Sequence, residues 1–79
     1  MIDVKHRYAL LENGTIEPLH YSDGTLRDVY QDWDGLWYMD HEVRGTYTGR
    51  GCIAFRHDRI LSTSDNIFVL EMISHAQTT

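Results

Sequence analysis

Apolar and polar residues alternate along several short stretches of this chain, which is the pattern of half-buried β-strands. Three glycine turns separate these stretches: Asn13-Gly14, Asp23-Gly24 and Asp34-Gly35. Asn-Gly and Asp-Gly favour β-hairpins, because a type I′ turn needs positive φ at both central residues. The turns lie ten or eleven residues apart, which leaves room for strands of ordinary length. The spacing therefore predicts an antiparallel meander.

The alternation predicts strands over 4–11, 15–21, 36–43 and 52–57, followed by a tight reversal at Asp58-Arg59 into 60–63. Pro18 falls inside the second strand and has no N–H for a ladder, which predicts an edge position or a bulge there. Along 36–43, one face consists of Trp37, Met39, His41 and Val43. The opposite face becomes acidic at Asp40 and Glu42.

Residues 25–33 fit two local structures. The apolar residues Leu26, Val29, Tyr30 and Trp33 stand at helical spacing, and Thr25 with Asp28 would cap such a helix. The same segment also alternates as a strand does, and an Asp-Gly pair lies at each end, as two hairpins require. A helix over this segment would be short, so the strand is favoured.

Ser64-Asp65-Asn66 predicts the start of a helix, because each of these side chains can accept a hydrogen bond from an exposed helix amide. We predict the helix over 67–74. Its apolar residues cover most of its circumference: Ile67, Phe68, Val69, Leu70, Met72 and Ile73. Such a helix is expected to be heavily buried, either on the sheet or against a second copy of the chain.

These elements predict a single α+β domain over residues 1–79. We expect a small antiparallel β-meander or an SH3-like barrel, with one C-terminal helix closing one end. A barrel would remove the exposed strand edges that a small β domain must otherwise protect.

Cys52 is the only cysteine, so no disulfide can form within the chain, and a reducing cytosol is expected. No signal-peptide pattern and no apolar run of membrane-spanning length is seen in the sequence. We therefore expect a soluble cytoplasmic protein.

The formal net charge of −5 argues against tight nonspecific binding to duplex DNA, whose affinity comes mainly from phosphate neutralisation. The charges are unevenly placed. Residues 23–42 contain six acids against Arg27, whereas residues 43–59 contain four arginines against Asp58. Such polarity is expected of two solvated faces or of a surface that steers partners.

The acidic stretch also contains aromatic residues, which commonly anchor protein interfaces. Our leading hypothesis is a non-enzymatic module that binds a protein partner through Asp28, Tyr30, Asp32, Trp33, Asp34, Tyr38, Asp40 and Glu42. The competing interpretation places Trp33 and Tyr30 in the core and leaves the acids to solvate the surface.

The arginine-rich stretch supports an alternative function. Small β-barrels bind single-stranded nucleic acid through basic grooves and stacking aromatics. The candidate residues lie in or near a loop with three glycines, and they are Arg44, Tyr47, Arg50, Arg56 and Arg59. The competing interpretation is a hairpin tip whose arginines serve solubility.

Catalytic and metal-binding patterns are weak. The five histidines are scattered along the sequence. His41 and His57 would approach each other only if their strands are paired, and a zinc site needs three or four ligands. Cys52 and His57 are separated by an odd offset, which places them on opposite faces of one strand. We therefore expect no enzymatic activity, no cofactor and no metal.

Two segments, Tyr8 to Ile16 and Arg59 to Leu70, are similar to small uncharacterised proteins of phages and prophages. Such proteins open with a tyrosine-led strand and an Asn-Gly turn and close with a Ser-Asp-Asn-Ile helix start. The similarity covers about a quarter of the chain, at its two ends. It implies a phage or bacterial origin and a bacterial protein partner, which small acidic phage proteins often inhibit, and it supplies no catalytic residues.

Overall fold

Five strands and one helix form the described part of the chain, which in this computed structural model comprises residues 2–44 and 53–78, with side chains over 2–41 and 56–76. The elements are β1 (Tyr8–Leu11), β2 (Ile16–Pro18), β3 (Val29–Gln31), β4 (Trp37–Arg44), β5 (Ile53–Ser64) and α1 (Ile67–Thr78). The α+β class with a C-terminal helix is confirmed.

The strands form one antiparallel sheet in the order β2-β1-β5-β4-β3. β5 lies at the centre and pairs with two neighbours along its length. Its last residues pair with β1, where Tyr8 faces Ser64, and its earlier residues pair with β4, where Tyr38 faces Arg59. β1 therefore lies between β2 and β5, so the strand order departs from a simple meander.

Residues 19–28 connect edge strand β2 with edge strand β3 and give the sheet a barrel-like form. His20 and Leu26 form an isolated antiparallel bridge. The Leu19 N–H donates to the Arg7 carbonyl at 2.8 Å, and the Arg27 N–H donates to the Leu19 carbonyl at 2.8 Å. Backbone polar groups near both edges are thereby satisfied within the molecule.

All three glycine pairs form hairpin turns, as predicted, but the turn type differs. The Gly14 N–H donates to the Leu11 carbonyl, and the Leu11 N–H donates to the Thr15 carbonyl, both at 2.9 Å. This is a three-residue connection in which a type I turn is followed by a glycine of positive φ, here +91°. The same bonds recur around Gly24 and Gly35. Side-chain bonds support these loops: Asn13 and Asp23 accept from the amide two residues on, and in the third turn Asp32 accepts from the amides of Asp34 and Leu36.

The first predicted strand is too long at its start, because the amides of residues 3 and 7 bond to side chains at the C-terminal end of β5 instead of continuing the ladder. The Asp3 N–H donates to Thr63 Oγ1 at 2.9 Å, and the Arg7 N–H donates to Asp65 Oδ1 at 3.0 Å. The edge position of Pro18 is confirmed, since it is the last residue of edge strand β2. Residues 25–33 contain the strand β3 and no helix.

The reversal predicted at Asp58-Arg59 is wrong, because β5 continues through both residues. Asp58 lies on the inner face of the sheet and is buried. Its carboxylate receives hydrogen bonds from His41 and Arg56, so a charged residue is tolerated in the middle of a strand. Strand β5 thus supplies one continuous partner to both halves of the sheet.

The core lies on the inner face of the sheet and consists of Ala9, Leu11, Leu19, Met39 and Ile60. Trp37 and Val29 pack against it, so the predicted face of β4 with residues 37, 39 and 41 is the one that points inward. Leu10 points to the other side of β1 and is also fully buried. Helix α1 contacts β1 and β5, which accounts for that burial.

Helix α1 starts as predicted and runs further than predicted, to Thr78. The Asn66 side chain caps it, since Oδ1 accepts from the Phe68 N–H at 3.0 Å. Burial of the helix on the sheet is one-sided: Leu70 is fully buried, but Phe68 is 68% exposed and Met72 is 72% exposed. A single helix on one sheet has only one face to bury, so burial of the opposite apolar face against a second copy stays a prediction.

Candidate protein-binding surface

The β3–β4 hairpin carries the described members of the predicted acidic aromatic surface. Tyr30 and Tyr38 are paired directly across the two strands. The Asp40 N–H donates to the Asp28 carbonyl at 3.0 Å, which places these two acids opposite one another in the same register. The outer face of the hairpin therefore presents two tyrosines beside two carboxylates. The Glu42 side chain lies outside the described residues.

His57 of β5 adds a third ring to the two tyrosines. The ring centroids of Tyr38 and His57 lie 4.7 Å apart with their planes 10° from parallel, and those of Tyr30 and His57 lie 5.4 Å apart. Stacked aromatic rings at these separations stabilise one another beyond the area they bury. From the sequence, His57 is a candidate metal ligand or a partner of Cys52, whereas its place in this ring cluster depends on the register of β4 on β5.

Polar contacts fix this ring cluster. The His57 Nδ1–H donates to Asp40 Oδ1 at 2.9 Å, and the Tyr30 hydroxyl lies 3.2 Å from the same oxygen. The Tyr30 hydroxyl also contacts His57 Nδ1. The same hydroxyl lies 3.4 Å from His57 Nε2, so the phenol, the carboxylate and the imidazole form one compact group. Its chemistry is that of a pre-arranged polar aromatic patch.

The Tyr30 hydroxyl lies where its surroundings disfavour the loss of its proton. Partial burial raises its pKa above the ordinary value of 10.0, and the adjacent Asp40 carboxylate raises it further by charge and by hydrogen bonding. Tyr30 therefore stays a neutral hydrogen-bond donor at physiological pH. The half-exposed pair of His57 and Asp40, at 52% and 44% exposure, remains open to a partner.

The turn of the hairpin projects a tryptophan into solvent. Asp32 Oδ1 accepts from the amides of Asp34 and Leu36, each at 2.9 Å, so Asp32 stabilises the turn itself. Trp33 follows it and is 94% exposed, so the interpretation that placed Trp33 in the core is wrong. Trp37, on the inner face of β4, takes that role.

Asp28 is exposed at the start of the hairpin and faces a tyrosine of the preceding turn. The Tyr21 hydroxyl lies 3.4 Å from Asp28 Oδ2. The Arg27 guanidinium lies 5.9 Å from the centre of the Tyr21 ring, close enough for a cation–π contact. Asp28 is thus a flank of the surface, and Tyr30, Trp33 and Asp34 form its exposed centre.

The residues of the nucleic-acid alternative are not brought to one face where the structure describes them. The Arg56 Nε–H donates to Asp58 Oδ2 at 2.7 Å, on the inner side of β5. Arg59 faces Tyr38 on the outer side, because successive strand residues point in opposite directions. The Arg44 side chain, Tyr47 and Arg50 lie outside the described residues, so this alternative stays a prediction.

His41 and His57 lie on neighbouring strands but on opposite faces of the sheet. His41 Nε2 lies 2.7 Å from Asp58 Oδ2 in the interior, whereas His57 bonds Asp40 on the surface. Burial would raise the pKa of Asp58, but the hydrogen bonds from His41 and Arg56 outweigh it and hold the pKa below its ordinary value of 3.8. Within the described residues, no three side chains of His, Cys, Asp or Glu converge as metal ligands, and Cys52 lies outside them.

Comparisons with known proteins give no family for this chain. No protein-family model, no curated protein and no solved structure matches it. The similarity of the two end segments to phage proteins therefore stays a prediction. In the part of the chain that the structure describes, no helix has both the length and the apolar character needed to cross a bilayer.

Proposed function

We propose that this protein is a small non-enzymatic binding module that holds a protein partner through the tip and outer face of the β3–β4 hairpin. The similarity of the end segments to phage proteins supports a bacterial partner in the cytoplasm and an inhibitory effect on it. The single cysteine, Cys52, agrees with a cytoplasmic setting.

The observation that carries the proposal is the exposure of Trp33. An indole that is 94% exposed gives up the hydrophobic stabilisation that its burial would provide. Tryptophan is among the residues that most often dominate the energy of protein interfaces. Tyr30, also exposed, stands on the same hairpin and offers a second large contact with a polar end.

The rigidity of the tip supports the same function. The turn is fixed by the two bonds to Asp32 and by Gly35, whose φ is +86°. The bases of the strands are fixed by the stacking of Tyr30, Tyr38 and His57. A surface arranged before binding loses less conformational entropy when the partner arrives, so more of the contact energy appears as affinity.

The charge of the surface indicates the chemistry of the partner. Asp28, Asp34 and Asp40 surround the aromatic residues, and the whole chain carries a net charge of −5. Complementary charge raises the association rate and selects against partners of the same sign. We therefore propose a partner whose contact surface is basic, with arginine or lysine side chains that lie against Trp33 and the neighbouring carboxylates.

The test compares three single variants in affinity capture from a bacterial lysate. Trp33→Ala removes the central contact, Asp34→Lys reverses a charge that the fold does not use, and Phe68→Ala removes an exposed aromatic ring on the distant helix as a matched control. Asp32 is left intact, because its carboxylate holds the turn. The partner retained by the unmodified protein is identified by mass spectrometry, purified and titrated by calorimetry.

We expect Trp33→Ala to weaken binding by about 2 kcal/mol or more, roughly thirtyfold in Kd. Asp34→Lys is expected to slow association and to reduce its dependence on salt. Phe68→Ala should bind as the unmodified protein does. Equal affinity of the Trp33→Ala and Phe68→Ala variants would remove the hairpin tip as the binding site.

A further inference from the structure

The two Asp-Gly turns of this chain share one backbone geometry. The Gly24 N–H donates to the Tyr21 carbonyl at 2.9 Å, and the Gly35 N–H donates to the Asp32 carbonyl at 3.0 Å. Their φ angles are +92° and +86°. The same dipeptide thus occurs twice in nearly the same conformation, so any difference in its chemistry must come from the side chains around it.

The aspartate side chains of the two turns differ in their hydrogen bonds. Asp23 Oδ1 accepts from the Thr25 N–H at 2.9 Å and from the Thr25 hydroxyl at 2.7 Å. In the other turn, Leu36 occupies the position that corresponds to Thr25. Leu36 has no hydroxyl, and its N–H donates to Asp32. The Asp34 carboxylate consequently has no hydrogen bond to any residue that the structure describes, and it is exposed.

This difference bears on a spontaneous reaction of Asp-Gly sequences. The glycine nitrogen attacks the aspartate Cγ, a C–N bond forms, and one water molecule leaves to give a cyclic imide. Addition of one water molecule at either imide carbonyl then breaks a C–N bond and yields aspartate or isoaspartate. The reaction consumes no other reagent, and it requires the side chain to rotate toward the glycine nitrogen with its carboxyl group in the acid form.

Both requirements are hindered at Asp23. The two hydrogen bonds from Thr25 hold the Asp23 carboxylate in one orientation and restrict its rotation toward the Gly24 nitrogen. The same bonds, first from the Thr25 amide and then from its hydroxyl, lower the pKa of Asp23 below its ordinary value, so less of the acid form is present. At Asp34 the corresponding threonine is replaced by leucine, and neither bond exists.

We propose that Asp34-Gly35 is the principal site of aspartate isomerisation among the Asp-Gly pairs of this chain, in preference to Asp23-Gly24. The isoaspartate adds one methylene group to the main chain immediately after Trp33. Because the tip of the hairpin depends on the short path from Asp32 to Gly35, the modification would displace the tryptophan. Under the proposed function, the binding surface would then lose affinity as the protein ages.

Asn13-Gly14 forms the same cyclic imide by deamidation. Its leaving group is ammonia, so its intrinsic reactivity differs from that of the two aspartates. Asn13 Oδ1 accepts from the Thr15 amide and hydroxyl, at 3.0 and 2.7 Å, in the same arrangement as Asp23. Reaction at Asn13 changes the mass of the product, whereas isomerisation of aspartate does not, so the two reactions are told apart.

The experiment ages the folded full chain at neutral pH and measures isoaspartate by chromatography and electron-transfer fragmentation of tryptic peptides. Trypsin places Asp23 in the peptide 8–27 and Asp34 in the peptide 28–44. We expect a several-fold higher isoaspartate fraction at residue 34 than at residue 23. A parallel sample aged in urea should lose most of this difference, because the hydrogen bonds of the turns are absent there.

A pair of reciprocal variants tests the cause. Thr25→Leu removes the hydroxyl that holds Asp23 and should raise isoaspartate at that residue. Leu36→Thr places a hydroxyl at the equivalent point of the other turn and should lower isoaspartate at Asp34; Leu36 is exposed, so the fold tolerates the change. Equal accumulation at both sites in the folded protein, or an unchanged bias in urea, would overturn the proposal. No partner is needed, so the result is independent of the proposed function.

Discussion

His41 Nε2 lies 2.7 Å from Asp58 Oδ2, and both side chains are only 3% exposed. Because a carboxylate only accepts, the imidazole donates from Nε2. Arg56 donates to the same oxygen from the rim of the sheet. On the outer face of the same two strands, His57 and Asp40 form a pair of the same residue types in partial solvent. The chain therefore contains one buried and one exposed version of the same interaction.

This arrangement predicts very different effects for two aspartate substitutions. Asp58→Ala leaves His41 and Arg56 without their buried acceptor and is expected to lower the free energy of unfolding by about 3–5 kcal/mol. Asp40→Ala breaks the exposed pair and should cost about 1 kcal/mol or less. Urea denaturation followed by tryptophan fluorescence measures both. Similar costs for the two variants would show that Asp58 is not held as described.

The lowered pKa of Asp58 predicts acid sensitivity. Its carboxyl has a lower pKa in the folded chain than the ordinary 3.8 of the unfolded chain, so the unfolded state binds the proton more readily. The stabilisation is complete well above 3.8 and is lost as pH falls from there through the folded-state pKa. Urea denaturation at a series of acidic pH values should show this loss. The Asp58→Asn variant is the control, and it should lack this part of the pH dependence.

The positive φ of the turn glycines predicts that an added side chain lowers stability even where it would meet no neighbouring atom. A Cβ atom at Gly24 would meet nothing within 4 Å, yet the residue has φ +92°. Gly24→Ala is therefore expected to destabilise the chain through backbone conformation alone, by about 1–2 kcal/mol. Gly24→Asn should cost less, since asparagine visits the left-handed region more readily. Thermal denaturation of the two variants provides the measurement, and equal losses would contradict this account.

The exposed face of α1 predicts weak self-association. Phe68, Val69 and Met72 form an apolar patch on the helix, and a stable interface buries about 800 Å² on each partner, more than three side chains supply. We expect the mass measured by light scattering to rise with protein concentration, and only at high concentration. The double substitution of Phe68 and Met72 by serine should keep the chain monomeric. A mass independent of concentration in the unmodified protein would contradict the prediction.

The separation of Arg56 from Arg59 predicts little binding of single-stranded nucleic acid. We expect no saturable rise in fluorescence anisotropy when a labelled oligonucleotide is titrated with the protein at low salt. Circular dichroism of the same sample confirms that the protein is folded. A saturable rise that Arg59→Ala removes and added salt weakens would favour the nucleic-acid alternative over the protein partner.

Local features of the sequence were sufficient to predict the turns, the grouping of residues 37, 39 and 41 on one face of β4, and the cap of the helix. Gly14, Gly24 and Gly35 adopt the positive φ that their turns need. The helix begins after Asn66 because the Asn66 side chain accepts a hydrogen bond from the Phe68 amide in the first turn. The members of the surface between Asp28 and Asp40 were predictable as a group, since they belong to one hairpin whose two strands are joined by a short turn.

Features that depend on distant pairing were not predictable. Asp58-Arg59 resembles a turn locally, and only the register of β5 against β4 shows that Asp58 faces inward beside His41. The same register places His57 beside Asp40. The exposure of Trp33 follows from the extra residue in its turn, because a three-residue connection moves this ring out of the strand and to the tip.

The pairing of β1 with β5 has a consequence for how the molecule is made. Tyr8 leaves the ribosome long before Ser64, its neighbour in the finished sheet, has been synthesised. Until then β1 has only the short strand β2 beside it, and a two-stranded hairpin is barely stable in water. Sheets dominated by such remote pairings fold in about milliseconds to seconds. Assembly of the domain therefore waits for β5, and until then the apolar residues of β1, Ala9, Leu10 and Leu11, lack the cover that β5 and α1 give them.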